Sequence, residues 1–153
     1  MLERHVWHIV HAKSFNISRA QECANILCGK HDFVAFKGAF RGNERGKIQN
    51  TVCNVQSITI EHDNGNKLES SLPSCNTYKV TVTGDRFLYK MVRFLVGTIV
   101  QYGTDDERSL EEINHLFNDD LTPNPRLCAP SNGLVLDHVD FGNKWIFNWT
   151  IAE

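Results

Sequence analysis

Residues 87–103 read FLYKMVRFLVGTIVQYG, the most apolar stretch of the chain. Phe87, Leu88, Met91, Val92, Leu95, Ile99 and Val100 fall at helical spacing, so a helix is expected over residues 86–101 with a broad buried face. Cations interrupt the run, so it is no candidate membrane span, which needs about 18–20 unbroken apolar residues. A helix this apolar must be covered on most sides. Arg86, Lys90, Arg93 and Gly97 follow at spacings of four, three and four, and on that helix they share one stripe. A solvated edge with snorkelling side chains is the ordinary reading of such a stripe. Two features point instead to a cleft or an interface. The flanks are too greasy to be freely exposed. Gly97 costs about 1 kcal/mol in a helix interior and suits close approach of another group. A positive stripe in a half-buried cleft suits an anion, either phosphate or carboxylate.

The rest of the chain offers one domain to cover that helix. Its 153 residues suit a single core that buries roughly 70% of the unfolded surface. RHVWHIVH at residues 4–11 reads as a strand. Ile17, Ala20, Ala24, Leu27 and Cys28 have helical spacing, with Asn16 or Ser18 as N-cap and Gly29 at the C-terminal end. Residues 38–50 read as a long basic loop. Residues 51–61 and the Tyr78, Val80, Val82 alternation read as strands, with Asp63-Asn64-Gly65 as a turn. Ser109-Leu110-Glu111-Glu112 has the form of a capping box before a helix buried through Leu110, Ile113, Leu116 and Phe117. GLVLDHVDF at residues 133–141 reads as a last strand, which KWIFNWTI would extend. The expected fold is α+β, a mostly antiparallel mixed sheet with helices packed on one face.

Charge and cysteine usage narrow the partners. The net charge is −2, yet residues 30–47 carry five cations against two acids, and residues 86–93 carry three cations and no acid. A weakly acidic protein can present one basic face in this way. Five cysteines and no basic-then-apolar leader suit free thiols in a reducing, intracellular compartment. Cys23, Cys28 and His31 lack a convincing fourth metal ligand. On a strand, His8 faces away from His5 and His11. His31-Asp32 resembles an acid–base pair, but capping or packing accounts for it better.

Four segments in register resemble one family. Phe87-Leu88-Tyr89-Lys90-Met91-Val92-Arg93 with Val96-Gly97 resembles the "FLY-basic-MVR…VG" segment of the tRNA pseudouridine synthase A family. Leu27-Cys28-Gly29-Lys30-His31-Asp32-Phe33 with Phe36 resembles its "L-x-G-x-HDF-x-x-F" segment. Residues 52–60 resemble the strand that follows. Ala129-Pro130-Ser131-Asn132-Gly133-Leu134-Val135-Leu136 and Val139 resemble its "AP-x-x-GL-x-L-x-x-V" strand. The resemblance runs from about Trp7 to Phe141. The "RTD-x-GV" loop that carries the family's nucleophilic aspartate has no match, nor does its tyrosine-bearing middle motif. Asp85 in TGDRF and Asp105 in GTDD lack the flanking residues. Cys53 stands where the family usually has an arginine.

The resemblance implies the RNP-like C-terminal half of the enzyme, a single domain over residues 1–153, with the nucleophilic aspartate on an N-terminal domain outside this chain. It implies isomerisation of uridine to pseudouridine in tRNA, with no cofactor and no metal. A homodimer with no membrane attachment is expected, in an intracellular compartment for which the cytoplasm comes first and the nucleus or an organelle stays open. Arg93 would pair with the aspartate of the other half, where its planar fork keeps a carboxylate ionised in a dry pocket. Leu134, after Gly133, would wall the flipped base. Lys37, Arg41, Arg45, Arg86 and Lys90 would hold tRNA phosphates. Two alternatives share the scaffold, an RNA-binding module without catalysis and a dimerisation module.

Overall fold

The computed structural model describes residues 7, 14–39, 50–62, 76–118 and 127–140. The expected strand at 4–11 (apart from Trp7), the turn at 63–65, most of the basic loop and the KWIFNWTI segment lie outside them. Within the described residues the fold is α+β, with three helices and a three-stranded antiparallel sheet.

Helix α1 spans Ile17–Leu27 and buries Ala20, Cys23, Ala24 and Leu27 along one face. Asn16 caps it, its side chain accepting from the Arg19 amide at 3.1 Å. The helix ends at Cys28, which is extended, and Gly29 follows with φ of 117°, a conformation that favours glycine. Gly29 also opens strand β1, Gly29–Asp32. His31 and Asp32 pair with β2, Val52–His62, in the register His31↔Cys53 and Asp32↔Val52, an element that the sequence reading does not include. A four-residue strand with a polar end has too little alternation to stand out.

Strand β2 carries the sheet side of the core. Cys53, Val55, Ile58 and Ile60 are buried, so the inward parity changes between Val55 and Ile58. A bulge between Val55 and Ser57 produces this change, letting one face stay apolar although the sequence alternation slips by one residue. β3, Tyr78–Gly84, pairs antiparallel with β2 and completes the order β1-β2-β3.

The apolar helix starts later than its pattern suggests. α2 runs Met91–Thr104, not 86–101. Residues 86–90 are bonded elsewhere. The Tyr89 carbonyl accepts from the Gly38 amide at 2.8 Å, and Arg86 Nη2 donates to the Asn50 and Val52 carbonyls at 2.6 and 2.8 Å. Lys90 sits at φ 62°, in the left-handed region, and the Met91 amide turns back to the Leu88 carbonyl. Such a conformation costs a non-glycine residue about 1 kcal/mol or more, and tertiary bonds on both sides hold it. Arg86 and Lys90 therefore leave the helical stripe, and Arg93 and Gly97 remain on it.

α1 packs against both α2 and β2. Its N-terminus also caps the end of α2: the Asn16 amide donates to the Gly103 carbonyl at 2.7 Å, and Arg19 Nε donates to the Tyr102 carbonyl at 3.0 Å. α3, Glu111–Asn118, buries Ile113. Ser109 caps it, but through the Glu111 amide, and the Glu112 carboxylate accepts from the Tyr102 hydroxyl at 3.3 Å instead of closing a reciprocal box. An aromatic cluster of Phe33, Phe36 and Phe117 joins α3 to a 3-10 turn at Val34–Phe36. Among the described residues no helix is long and apolar enough to cross a membrane.

The expected last strand is not part of the sheet. Ser131–Gly133 forms a 3-10 turn, and residues 134–140 carry no regular secondary structure. Leu134, Val135, Leu136 and Val139 are exposed, with Leu136 at 81%. An alternating apolar pattern becomes a strand only when an edge pairs with it, and none of the described residues does.

Asn16→Ala removes the cap on α1 and the side-chain bond to Asp106. The expected loss is about 1 kcal/mol of unfolding free energy, read from urea denaturation.

Candidate functional site

Arg93 occupies the first turn of α2, half-buried. Its Nε donates to the Ala129 carbonyl at 2.5 Å, and the Ala129 amide donates to the Arg93 carbonyl at 3.0 Å. The two residues are therefore tied in both directions across 36 positions of sequence. One edge of the guanidinium is fixed by the backbone. The fork formed by the other nitrogens bonds to no carboxylate among the described residues. A guanidinium held in this way is pre-organised for a planar, two-oxygen anion.

Gly97 lets the latch close. A Cβ on Gly97 would lie 1.6 Å from the Leu127 carbonyl oxygen and 3.4 Å from the Ala129 nitrogen. The close approach read from the sequence is that of segment 127–129, one helical turn beyond Arg93. The signal for Ala129 was the Ala-Pro at the head of the last motif, but nothing local says that its carbonyl faces an arginine.

Gly133 and Leu134 follow the latch by four and five residues. The Leu134 amide donates to the Ser131 carbonyl at 3.1 Å, which sets the turn, and the Leu134 side chain is 50% exposed. The bond between the Gly38 amide and the Tyr89 carbonyl joins the two segments that carry Lys37 and Lys90. Lys90 Nζ lies 5.4 Å from the centre of the Tyr89 ring. Arg86 is exposed, but two backbone carbonyls engage it, so part of its work is to hold the entry to β2. Arg41 and Arg45 lie outside the described residues.

The other reactive side chains have structural work. His31 stacks on Phe117 with ring centres 4.2 Å apart and bonds to the Cys28 carbonyl through Nε2. The Asp32 carboxylate accepts from the Val34 amide at 3.0 Å. Packing and capping thus explain the pair. The Asp85 carboxylate accepts from the Asn54 amide at 2.9 Å, and that of Asp105 from the Glu107 amide at 3.2 Å. Burial pushes the Cys23 thiol up to about 12, only partly opposed by Arg19, so it is no nucleophile near neutral pH. Burial also raises the Cys53 thiol, which sits in the sheet at the position where the resembled family usually has an arginine. Cys23, Cys28, Cys53 and Cys128 are free thiols.

A sequence profile of the tRNA pseudouridine synthase family matches residues 23–142, which take in α1 from Cys23, all three strands, α2, α3 and the Ala129 latch. This chain belongs to that family. It is 31% identical over 127 residues to tRNA pseudouridine synthase A of Clostridium botulinum, covering 83% of this chain and 45% of that protein. It is 32% identical over 139 residues to tRNA pseudouridine synthase A 2 of Clostridium perfringens, covering 90% and 49%. Against tRNA pseudouridine synthase A of Thermodesulfovibrio yellowstonii it is 30% identical over 138 residues, covering 90% and 51%. The chain spans about half the length of these relatives.

Gly97→Ala tests the latch through the sign of its effect. In an unobstructed helix the change would stabilise by up to about 1 kcal/mol. Here the Cβ must displace segment 127–129, so a loss of about 1–3 kcal/mol is expected, with faster hydrogen exchange at the Ala129 amide.

Proposed function

We propose that this chain is the C-terminal half of a tRNA pseudouridine synthase, and that it completes an active site whose nucleophilic aspartate lies on an N-terminal half. The reaction breaks the N1–C1′ bond of a uridine, turns the base and forms a C5–C1′ bond. N1 gains a proton and C5 gives one up, so composition does not change. The observation that carries the reading is the Arg93–Ala129 latch inside the matched segment. It leaves a guanidinium fixed on one edge by a residue that stands a few positions before an exposed apolar tract. A carboxylate brought to the other edge stays ionised, because the adjacent cation offsets the desolvation of a closed pocket. Lysine would keep the charge without the fork.

Gly133 and Leu134 are the proposed wall for the flipped base. Lys37, Lys90, Arg41 and Arg45 are proposed phosphate contacts of tRNA, and Arg86 joins them with whatever donors its two carbonyl bonds leave. The apolar residues Leu134, Val135, Leu136 and Val139 suit cover by the N-terminal half. Homodimerisation belongs to the same proposal and is read by light scattering. Work in the cytoplasm is proposed as well, and the free thiols of the four described cysteines suit its reducing conditions.

The test is pseudouridine formation on unmodified tRNA, by the 153-residue chain and by the chain extended through its upstream gene sequence. Activity is expected only in the extended form. Arg93→Ala should lower it on the order of 10³-fold, the scale for removing a donor from charge stabilisation in a closed site. Activity in the unextended chain would make one of its own carboxylates, Asp32 or Asp85 first, the nucleophile and overturn the assignment.

A further inference from the structure

The turn before α2 presents two aromatic rings to solvent. Phe87 is 41% exposed and Tyr89 is 42% exposed, while Leu88 between them is 9% exposed and joins the core. Each ring rests on a glycine. A Cβ on Gly84 would meet Phe87 Cε1 and Cζ at 3.1 and 3.2 Å, and a Cβ on Gly38 would meet Tyr89 Cδ1 and Cε1 at 2.8 and 3.1 Å. A side chain at either glycine would lift its ring off the surface. The rings are held against backbone on one side and turned outward on the other. The turn that carries them is fixed at both ends, by the Gly38–Tyr89 bond and by Arg86 on Asn50 and Val52.

Cations surround this pair. Lys90 Nζ stands 5.4 Å from the Tyr89 ring centre, Arg86 precedes Phe87, and Lys37 adjoins Gly38. The nearby acids Asp32 and Asp85 each accept from a backbone amide. Rigid outward rings among cations are the elements of a single-strand nucleic-acid surface, in which bases stack and phosphates meet ammonium or guanidinium groups. A protein partner fits less well, since the buried centres of protein interfaces are depleted in lysine.

We propose that Phe87 and Tyr89 form a stacking platform for unpaired RNA bases beside the uridine that reacts, with Lys90 and Lys37 on the adjoining phosphates. This rests on the RNA-modifying reading above and adds a contact to bases other than the target. Residues that grip neighbouring unpaired bases favour substrates whose uridine lies in an open loop over those in a continuous helix.

The probe is a short single-stranded oligouridylate carrying one 2-aminopurine, titrated against the 153-residue chain, with a duplex of equal length as comparator. Binding should quench the 2-aminopurine, and the duplex should bind more weakly. Phe87→Leu keeps apolar bulk and removes the ring, and should lower affinity about tenfold while leaving the salt slope unchanged. Tyr89→Phe keeps the ring and should bind within about twofold of the parent. Lys90→Gln should reduce the salt slope by about 0.7. Parent-like affinity and quenching in both Phe87→Leu and Tyr89→Leu would overturn the proposal. It would equally be overturned if those variants bound RNA normally and lowered only the melting temperature of the upstream-extended protein, since the rings would then pack against protein. The isomerisation assay reads bond exchange in tRNA and this titration reads stacking on a different RNA, so each can fail alone.

Discussion

Arg93 and Ala129 exchange two hydrogen bonds, one from a side chain and one from a backbone amide. Much of the local structure is arranged around that exchange. Gly97 removes the Cβ that would keep segment 127–129 away from α2. The late start of α2 puts Arg93 in the first helical turn, beside a fixed turn, and away from the helix middle. Pro130 and the Ser131–Gly133 turn then carry the chain from the latch into the exposed apolar tract. A charged side chain in so apolar a helix is tolerable because one donor edge is satisfied internally and the side chain is only half-buried.

The features legible in the sequence were those set by local pattern. The buried face of α1, its Asn16 cap, the strands β2 and β3 and the stripe of α3 follow from spacing and capping chemistry alone. Gly97 was legible as a close approach, though its partner was not. The rest depends on bonds between distant residues. Hydrophobic periodicity ran the helix back to residue 86, yet Gly38 and the Asn50 and Val52 carbonyls claim the groups a longer helix would use. β1 is a strand because β2 lies beside it, and residues 134–140 lack the same support. The β2 bulge hides a change of parity that alternation alone would misread after Val55.

The same division holds for the site. Arg93 stands out as a cation in a greasy run, and the family resemblance implies a role for it. Arg86 stood out for the same reason, and its two backbone bonds show a cation doing structural work. Charge alone cannot separate these cases, because both residues are arginines beside apolar neighbours. What separates them is the partner. Arg86 Nη2 is taken up by carbonyls, whereas Arg93 keeps its fork beyond a single Nε bond. His31 and Asp32, the most chemical-looking pair in the sequence, are bonded into packing and a turn.

The central proposal is that Arg93, which Ala129 holds on one edge, meets a carboxylate of an N-terminal half on the other. Nitrogen-15 NMR of the Arg93 side chain tests it most directly, in the 153-residue chain and again with the upstream half present. The account predicts a slowly exchanging Nε–H in both states, and Nη protons that slow and shift only when the upstream half is present. An Nε–H exchanging like that of a free arginine, or Nη protons unchanged in an active extended protein, would contradict it.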